Sequence, residues 1–314
     1  LNKFGLKNID AYQYYDDKTK IKELRLEIFQ LNNLKPHKVI KEKDFKDLNA
    51  SDGFSVVTDN RVKTANYQHT ISYPFIADFT SEYVTSNTAH IPGFHPYVNT
   101  YENSLSLDFQ INYNSDLGFQ YLNKNFNDQE ILVSQTPNSI TYQAKNLIYQ
   151  EKEAYSQSYS NAMPHAVFGL QKFNLEGVNG EITSWKDFGK WYHSNFIVNN
   201  QELSPQTVEK VKQLTNHLTD PIEKARVLYA YMQSKTRYIS IQLGIGGWKP
   251  FPAKYVDQKG FGDCKALSNY MAALLKVANV DSYVTIVNAG NSLEDINEDL
   301  VSVQGNHMIL AIPQ

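Results

Sequence analysis

The hydrophobic period changes partway along the chain, and a single type of secondary structure cannot serve both periods. From about Ile21 to Glu176, apolar residues recur in short extended runs with a period near two. From Thr183 onward they recur three or four residues apart. The first pattern buries alternate side chains of a strand, and the second buries one stripe of a helix. A β-rich region of residues 1–178 followed by a mixed region of residues 179–314 is therefore expected, an α+β chain in two domains. A length of 314 residues suits two domains better than one.

In the first region Leu24, Leu26 and Ile28 alternate within IKELRLEIFQL, and SVVTD, HTISYPFIADFTSEYVT, NSLSLDFQINY, SITYQAKNLIY and HAVFGLQKFNL continue the theme. Turn-forming stretches such as NASDG, NYNSDLG and QTPNS separate them. Antiparallel strands packed as a sandwich are the expected arrangement. His37, His69, His90, His95 and His165 share no metal-ligand spacing. The loop AHIPGFHP, with His90 and His95, reads as a segment held by its prolines and aromatic packing. EKEAYSQSYSNAMP reads as a polar surface loop or hinge.

In the second region TSWKDFGKWYHSNF predicts an aromatic-faced helix carrying Trp185, Phe188, Trp191 and Tyr192, with His193 packed or facing solvent. Ser204 before Pro205 predicts a capped helix running toward Leu218. Asp220 before Pro221 predicts a second, with Glu223 completing a capping box and an end between Lys235 and Tyr238. Gly244, Gly246 and Gly247 then free the backbone, and Pro250 and Pro252 stiffen it. No GxxxxGK[ST] phosphate loop is present. Trp248 and Phe251 are expected to supply apolar surface, either to a cleft wall or to the core.

Composition narrows the function classes. The formal net charge is -3, from 30 basic and 33 acidic residues, so no basic excess points to nucleic acid. No apolar run approaches the roughly eighteen residues needed to span a membrane. There is one cysteine, which excludes an internal disulfide and a cysteine-rich zinc site. The 21 tyrosines and 16 phenylalanines suit half-buried sheet surface or, less simply, an aromatic binding surface. The chain starts at Leu1 with no export signal, and is read as a fragment or a processed product.

That single cysteine sits where chemistry is available. GFGDC closes a Gly-rich turn, and the following residues place Leu267, Tyr270, Met271, Leu274, Leu275 and Ala278 on one helical face. Asp263 is the expected N-cap and Cys264 lies in the first turn. Unpaired amide donors and the helix dipole favour a thiolate there. The Cys264 N–H is positioned to face a developing oxyanion, and Gly260 and Gly262 leave room for a substrate. DSYVTIVN and NHMILAIP read as strands, with His307 opening the second. His307 follows Cys264 by 43 residues (307 − 264), room for a helix, a strand and a loop. It is the best-placed histidine to act as base. A simpler reading makes Cys264 a small buried hydrophobe. An orienting carboxylate is less evident: Asp295, Glu298 and Asp299 lie in the loop before His307, and no acidic residue follows it.

These residues carry a resemblance. RYISIQLGIGGWKPFPAKYV, KGFGDCKALSNYMAALLKVANV and NHMILAIP resemble the transglutaminase-like superfamily, whose core is papain-like. DGFSVVTDNRVK and TSNTAHIPGFHP narrow the likeness to bacterial proteins, common in Bacteroidota, that join an N-terminal domain of unknown function 3857 to a transglutaminase-like domain. The resemblance implies a β-rich domain followed by an α+β thiol domain, with Cys264 as nucleophile and His307 as histidine. It implies that the acidic partner lies on a strand beyond this chain, and that the parent is exported, to the periplasm or cell surface. It also implies a Gln or Trp beside the oxyanion site, for which Gln242 and Trp248 are candidates. No cofactor or metal is required, and calcium sites of the animal enzymes have no counterpart here. The expected chemistry is a thioester formed at a peptide or protein amide and resolved by water. The alternatives are a noncatalytic peptide- or glycan-binding envelope module and a structural scaffold.

Overall fold

In the computed structural model, residues 9, 11–50, 55–65, 67, 71–97, 102–126, 131–149, 155–156, 158–290 and 295–313 are described. His69, residues 51–54, residues 150–154 and residue 157 lie outside them. The chain is α+β, with strands in several small sheets and helices concentrated after residue 184. Packing divides it into two compact units, residues 1–87 with 242–244, and residues 88–241 with 245–314. The change of hydrophobic period near residue 179 therefore lies inside the second unit.

The first unit holds β1 (Ala11–Tyr15), β2 (Thr19–Gln30), β3 (Lys38–Lys41), β4 (Lys46–Asn49), β5 (Ser55–Thr58), β6 (Arg61–Ala65) and β7 (Phe75–Thr85). Two three-stranded antiparallel sheets form, in the orders β1-β6-β4 and β3-β2-β7. Leu24, Leu26 and Ile28 are buried, as their alternation predicts, and meet Ala11, Ile40, Ala65 and Phe75 in one core fed by both sheets. The sequence reading located β2 and β7. It missed β1 and β6, whose single lysine, arginine and exposed tyrosines hide the period.

The second unit opens with β8 (Ser104–Asn112), β9 (Phe119–Lys124), β10 (Ile131–Thr136) and β11 (Ser139–Leu147), then α1 (Tyr159–Ala162), β12 (His165–Leu170), β13 (Lys172–Leu175) and β14 (Val178–Glu181). β11 lies between β10 and β8, and β12 pairs with β9, all antiparallel. Phe94, Tyr142, Ile140 and Phe168 fill the core they share, with Phe94 stacked on Tyr142 at 4.8 Å between centroids. The AHIPGFHP loop is held as expected by ring packing, His90 against Trp248 and His95 against His165. Glu176 and Gly177 both take positive φ, so β13 and β14 close through a tight turn whose twist matches the strands.

Ten helices and strands then build the region around the cysteine. α2 (Trp185–Tyr192) is capped by Ser184 and runs on into a π-helical turn that leaves His193 exposed. α3 (Pro205–Thr215) and α4 (Pro221–Lys235) start at the predicted caps, Ser204 and Asp220. α3 stops at Thr215, short of Leu218, and Glu223 pairs with Arg226 at 2.9 Å rather than closing a capping box. β15 (Arg237–Tyr238) and β16 (Ser240–Gln242) follow, then α5 (Ala253–Lys259), β17 (Phe261–Gly262), α6 (Cys264–Val277), β18 (Tyr283–Val287) and β19 (His307–Ala311). α5 was not foreseen, because Pro250 and Pro252 read as an extended wall.

α6 is the central helix. Ala266, Tyr270, Met271, Ala273, Leu274 and Leu275 are buried, as are the polar Lys265 and Asn269, so it is enclosed on most sides. α3, α4 and α5 cover it on one side. Asp257 on α5 ties this bundle together. Its carboxylate accepts from Lys235 Nζ and Tyr270 Oη, each at 2.5 Å, and from Thr207 Oγ1 at 2.6 Å. Each donor comes from a different helix.

Candidate functional site

Cys264 is the first residue of α6 and is partly buried. Asp263 caps the helix as expected, accepting the Ala266 N–H at 3.0 Å on Oδ1. The Cys264 N–H is one of the donors that a helix start leaves without an intrahelical partner. Asp263 Oδ2 accepts from the Lys265 ammonium, and this ion pair is buried, with side-chain exposures of 3% and 4%. A carboxylate alone beside the thiol would oppose a thiolate by like-charge repulsion. Lys265 neutralises it.

The glycines before the cysteine are explained by packing. Gly262 is buried, and a Cβ there would lie 2.9 Å from the Ala266 Cβ. Its missing side chain lets β17 lie against the first turn of α6, which corrects the expectation that it clears space for substrate. Gly260 ends α5 in the left-handed region, φ +70°.

β17 pairs in parallel with β15, Tyr238 opposite Gly262, and the Ile239 N–H donates to the Gly262 carbonyl at 3.0 Å. This brings Tyr238 beside the cysteine. Burial of the hydroxyl end and the neighbouring Cys264 push the Tyr238 phenol up to about 12. The residue as a whole is 55% exposed.

Tyr192 supports the site from α2. Its hydroxyl donates to the Trp248 carbonyl at 2.6 Å and lies 3.3 Å from Met308 Sδ. Burial, then the nearby Asp263 and Cys264, raise this phenol strongly. Trp248 and Cys264 pack on one core cluster with Tyr192 and Met308. Trp248 also stacks against His90, with ring centroids 5.5 Å apart. Gln242 groups with the first unit.

His307 opens β19, opposite Val287 of β18. Gly305 takes φ +93° just before it, and a Cβ there would strike Ile286 Cγ2 at 2.4 Å. The Asn306 side chain clamps the main chain of Ala289, accepting its N–H at 2.8 Å and donating to its carbonyl at 3.0 Å. β19 packs on α6, and Ser268 Oγ donates to the Met308 carbonyl at 3.4 Å. Alternation turns Met308 and Leu310 into the core and gives His307 the other face. Nucleophile and base candidates thus stand on adjoining elements. Among the described residues, the His307 ring makes no hydrogen bond. The acidic candidates stand apart. Asp295 is exposed and accepts from Asn161 at 3.3 Å, and Glu298 and Asp299 are exposed. Among the described residues no three metal-ligating side chains gather, and no helix is long and apolar enough to cross a membrane.

The fold has a solved counterpart. A crystal structure of a protein proposed to be a protease, from Parabacteroides distasonis ATCC 8503, superposes with a TM-score of 0.63 over 99% of this chain. Identity is 11%, so the likeness is one of fold. The chain spans 59% of that protein's length. No known family and no curated protein matches the sequence.

Sequence reasoning missed Tyr192, Tyr238 and Lys265. Tyr238 had one local signal, its place just before the Gly-rich turn, but nothing in the sequence says which strand it joins.

Proposed function

We propose that the second unit is a transglutaminase-like, papain-like thiol domain that attacks peptide or protein amides, with hydrolysis as the outcome. The observation that carries this reading is Cys264 at the start of a buried central helix, with the strand that begins at His307 packed on that helix. In the reaction the Cys264 sulfur attacks the amide carbonyl carbon, and His307 receives the thiol proton. The carbonyl electron pair moves onto oxygen and is met by the Cys264 N–H. Collapse expels the amine, which takes the proton from His307, and leaves a thioester. Water then adds, releasing the acid and restoring the thiol. A location in the periplasm or at the cell surface fits the bacterial resemblance and is part of the same proposal.

A noncatalytic peptide-binding module is the competing reading. The absence of a hydrogen bond to the His307 ring among the described residues favours it. The experiment is turnover of a fluorogenic peptide library, together with iodoacetamide labelling at neutral pH, for the wild-type, Cys264→Ala and His307→Ala chains. Turnover lost in both variants, with labelling slowed in His307→Ala, supports catalysis. Slow labelling unchanged by His307→Ala, with peptide binding that survives Cys264→Ala, sinks it.

A further inference from the structure

We propose that the cavity between α3, the end of α4 and α5 is a binding site for a small organic anion, whose carboxylate or phosphate group is held by Lys210 and Lys235. The proposal does not depend on the acyl-transfer reading, and none of the residues it uses belongs to the thiol site.

The cavity has a volume of about 340 Å³. That falls within the range of about 300–1,000 Å³ found for small-molecule sites. Gln206, Lys210, Tyr231, Lys235, Asp257 and Gln258 line it, together with Ser204 and Thr207. Two lysines against one aspartate leave the lining with a surplus of positive charge.

The aspartate is already spent. Asp257 is 6% exposed, and its two oxygens accept from Lys235, Tyr270 and Thr207. Thr207 gives its hydroxyl proton to Asp257, so Ser204 is the donor in the 2.8 Å contact between the two hydroxyls. The protons at the floor therefore run inward to one buried carboxylate, which has little left to offer a cation.

The cationic groups are the open ones. Lys235 donates to Asp257 at 2.5 Å and to Tyr231 Oη at 3.3 Å, which uses two of its three ammonium protons. Its side chain is 34% exposed, so the third proton is available to an acceptor in the cavity. Those two bonds fix the ammonium before a ligand arrives, and little side-chain entropy remains to be lost on binding. Among the described residues Lys210 has no ion-pair partner, and the Gln206 and Gln258 amides make no hydrogen bond. An anionic oxygen between the two lysines gains charge-assisted bonds, and the two amides supply further donors.

The test is isothermal titration calorimetry at constant ionic strength with succinate, glucose 1-phosphate and glucose, on the wild-type chain and four variants checked for native circular dichroism. The two sugars share one body and differ by the anionic group. At least one of the two anions should bind saturably, and at least tenfold more tightly than glucose. Lys210→Met should weaken that binding about tenfold, the loss of one charge-assisted hydrogen bond. Gln206→Glu puts a negative charge on the exposed lining and should weaken it at least as much. Lys212→Met removes an exposed lysine of the same helix outside the lining and should change it less than twofold. Cys264→Ala should bind as the wild type does. No saturable binding of either anion overturns the proposal. Glucose binding as tightly as glucose 1-phosphate overturns the anionic assignment. Equal losses in Lys210→Met and Lys212→Met overturn it too, because they mean diffuse attraction by the helix. Binding lost in Cys264→Ala places the anion at the thiol site instead and overturns this site while leaving the acyl-transfer reading standing.

Discussion

Lys265 and Asp263 flank Cys264 and form an ion pair with almost no exposed surface. The two charges are carried by the residues on either side of the nucleophile, so the pair and the thiol share one turn of backbone. Asp263 uses its other oxygen to cap α6. A buried pair of this kind contributes little as a pair, yet removing one member leaves an uncompensated charge.

Replacing Lys265 by Met should therefore destabilise the second unit by about 3–5 kcal/mol. The double variant Asp263→Asn with Lys265→Met should recover much of that, since Asn still caps a helix well. Urea denaturation of the two singles and the double, read as a double-mutant cycle, measures the coupling. A double variant whose loss equals the sum of the two single losses would show that the pair is not coupled.

Asp257 gives a pH prediction. Burial pushes its carboxyl up, and the bonds from Lys235, Thr207 and Tyr270 outweigh burial and hold it below the usual carboxylate range. A depressed folded value means that the stability is present above the unfolded titration, near pH 4, and is lost as pH falls through the folded value. Asp257→Asn should cost about 1–3 kcal/mol at neutral pH, at the lower end because Lys235 can turn to water. It should also flatten the loss of stability below about pH 4. Denaturant midpoints at neutral and acid pH compare the slopes, and parallel slopes would contradict the assignment.

These two cases mark what the sequence can disclose. The caps at Ser204, Asp220 and Asp263 were legible because a cap is chosen by its own next three residues. The buried alternation of β2 and the apolar residues of α6 were legible for the same local reason. Lys265 was not, since a lysine in a first turn normally faces solvent, and only the carboxylate beside it makes its burial tolerable. Tyr192 and Tyr238 were not, because Tyr192 bonds to Trp248, 56 residues away, and Tyr238 pairs with Gly262, 24 (262 − 238) away. Which tyrosine among 21 lies beside β17 is decided by strand pairing, not by periodicity.

Tyr192→Phe tests the support from α2. The Trp248 carbonyl loses its donor, and a buried acceptor left unpaired costs about 1–3 kcal/mol. Thermal unfolding should fall accordingly. Iodoacetamide labelling of Cys264 should change little, since Tyr192 bonds to Trp248 and Met308.

Two glycines predict opposite signs. Gly262→Ala drives a Cβ to 2.9 Å from the Ala266 Cβ, and neither atom can rotate away. Overpacking of this kind costs about 1–3 kcal/mol. It displaces the start of α6, so iodoacetamide labelling of Cys264 should change as well. Gly189 lies inside α2, exposed, with nothing within 4 Å of where its Cβ would be. Gly189→Ala should stabilise the chain by about 0.5–1 kcal/mol through helix propensity and leave Cys264 labelling unchanged. Differential scanning calorimetry with parallel labelling separates the two. A neutral Gly262→Ala would mean that β17 does not press on the first turn of α6, and the placement of Tyr238 through that strand would lose its foundation.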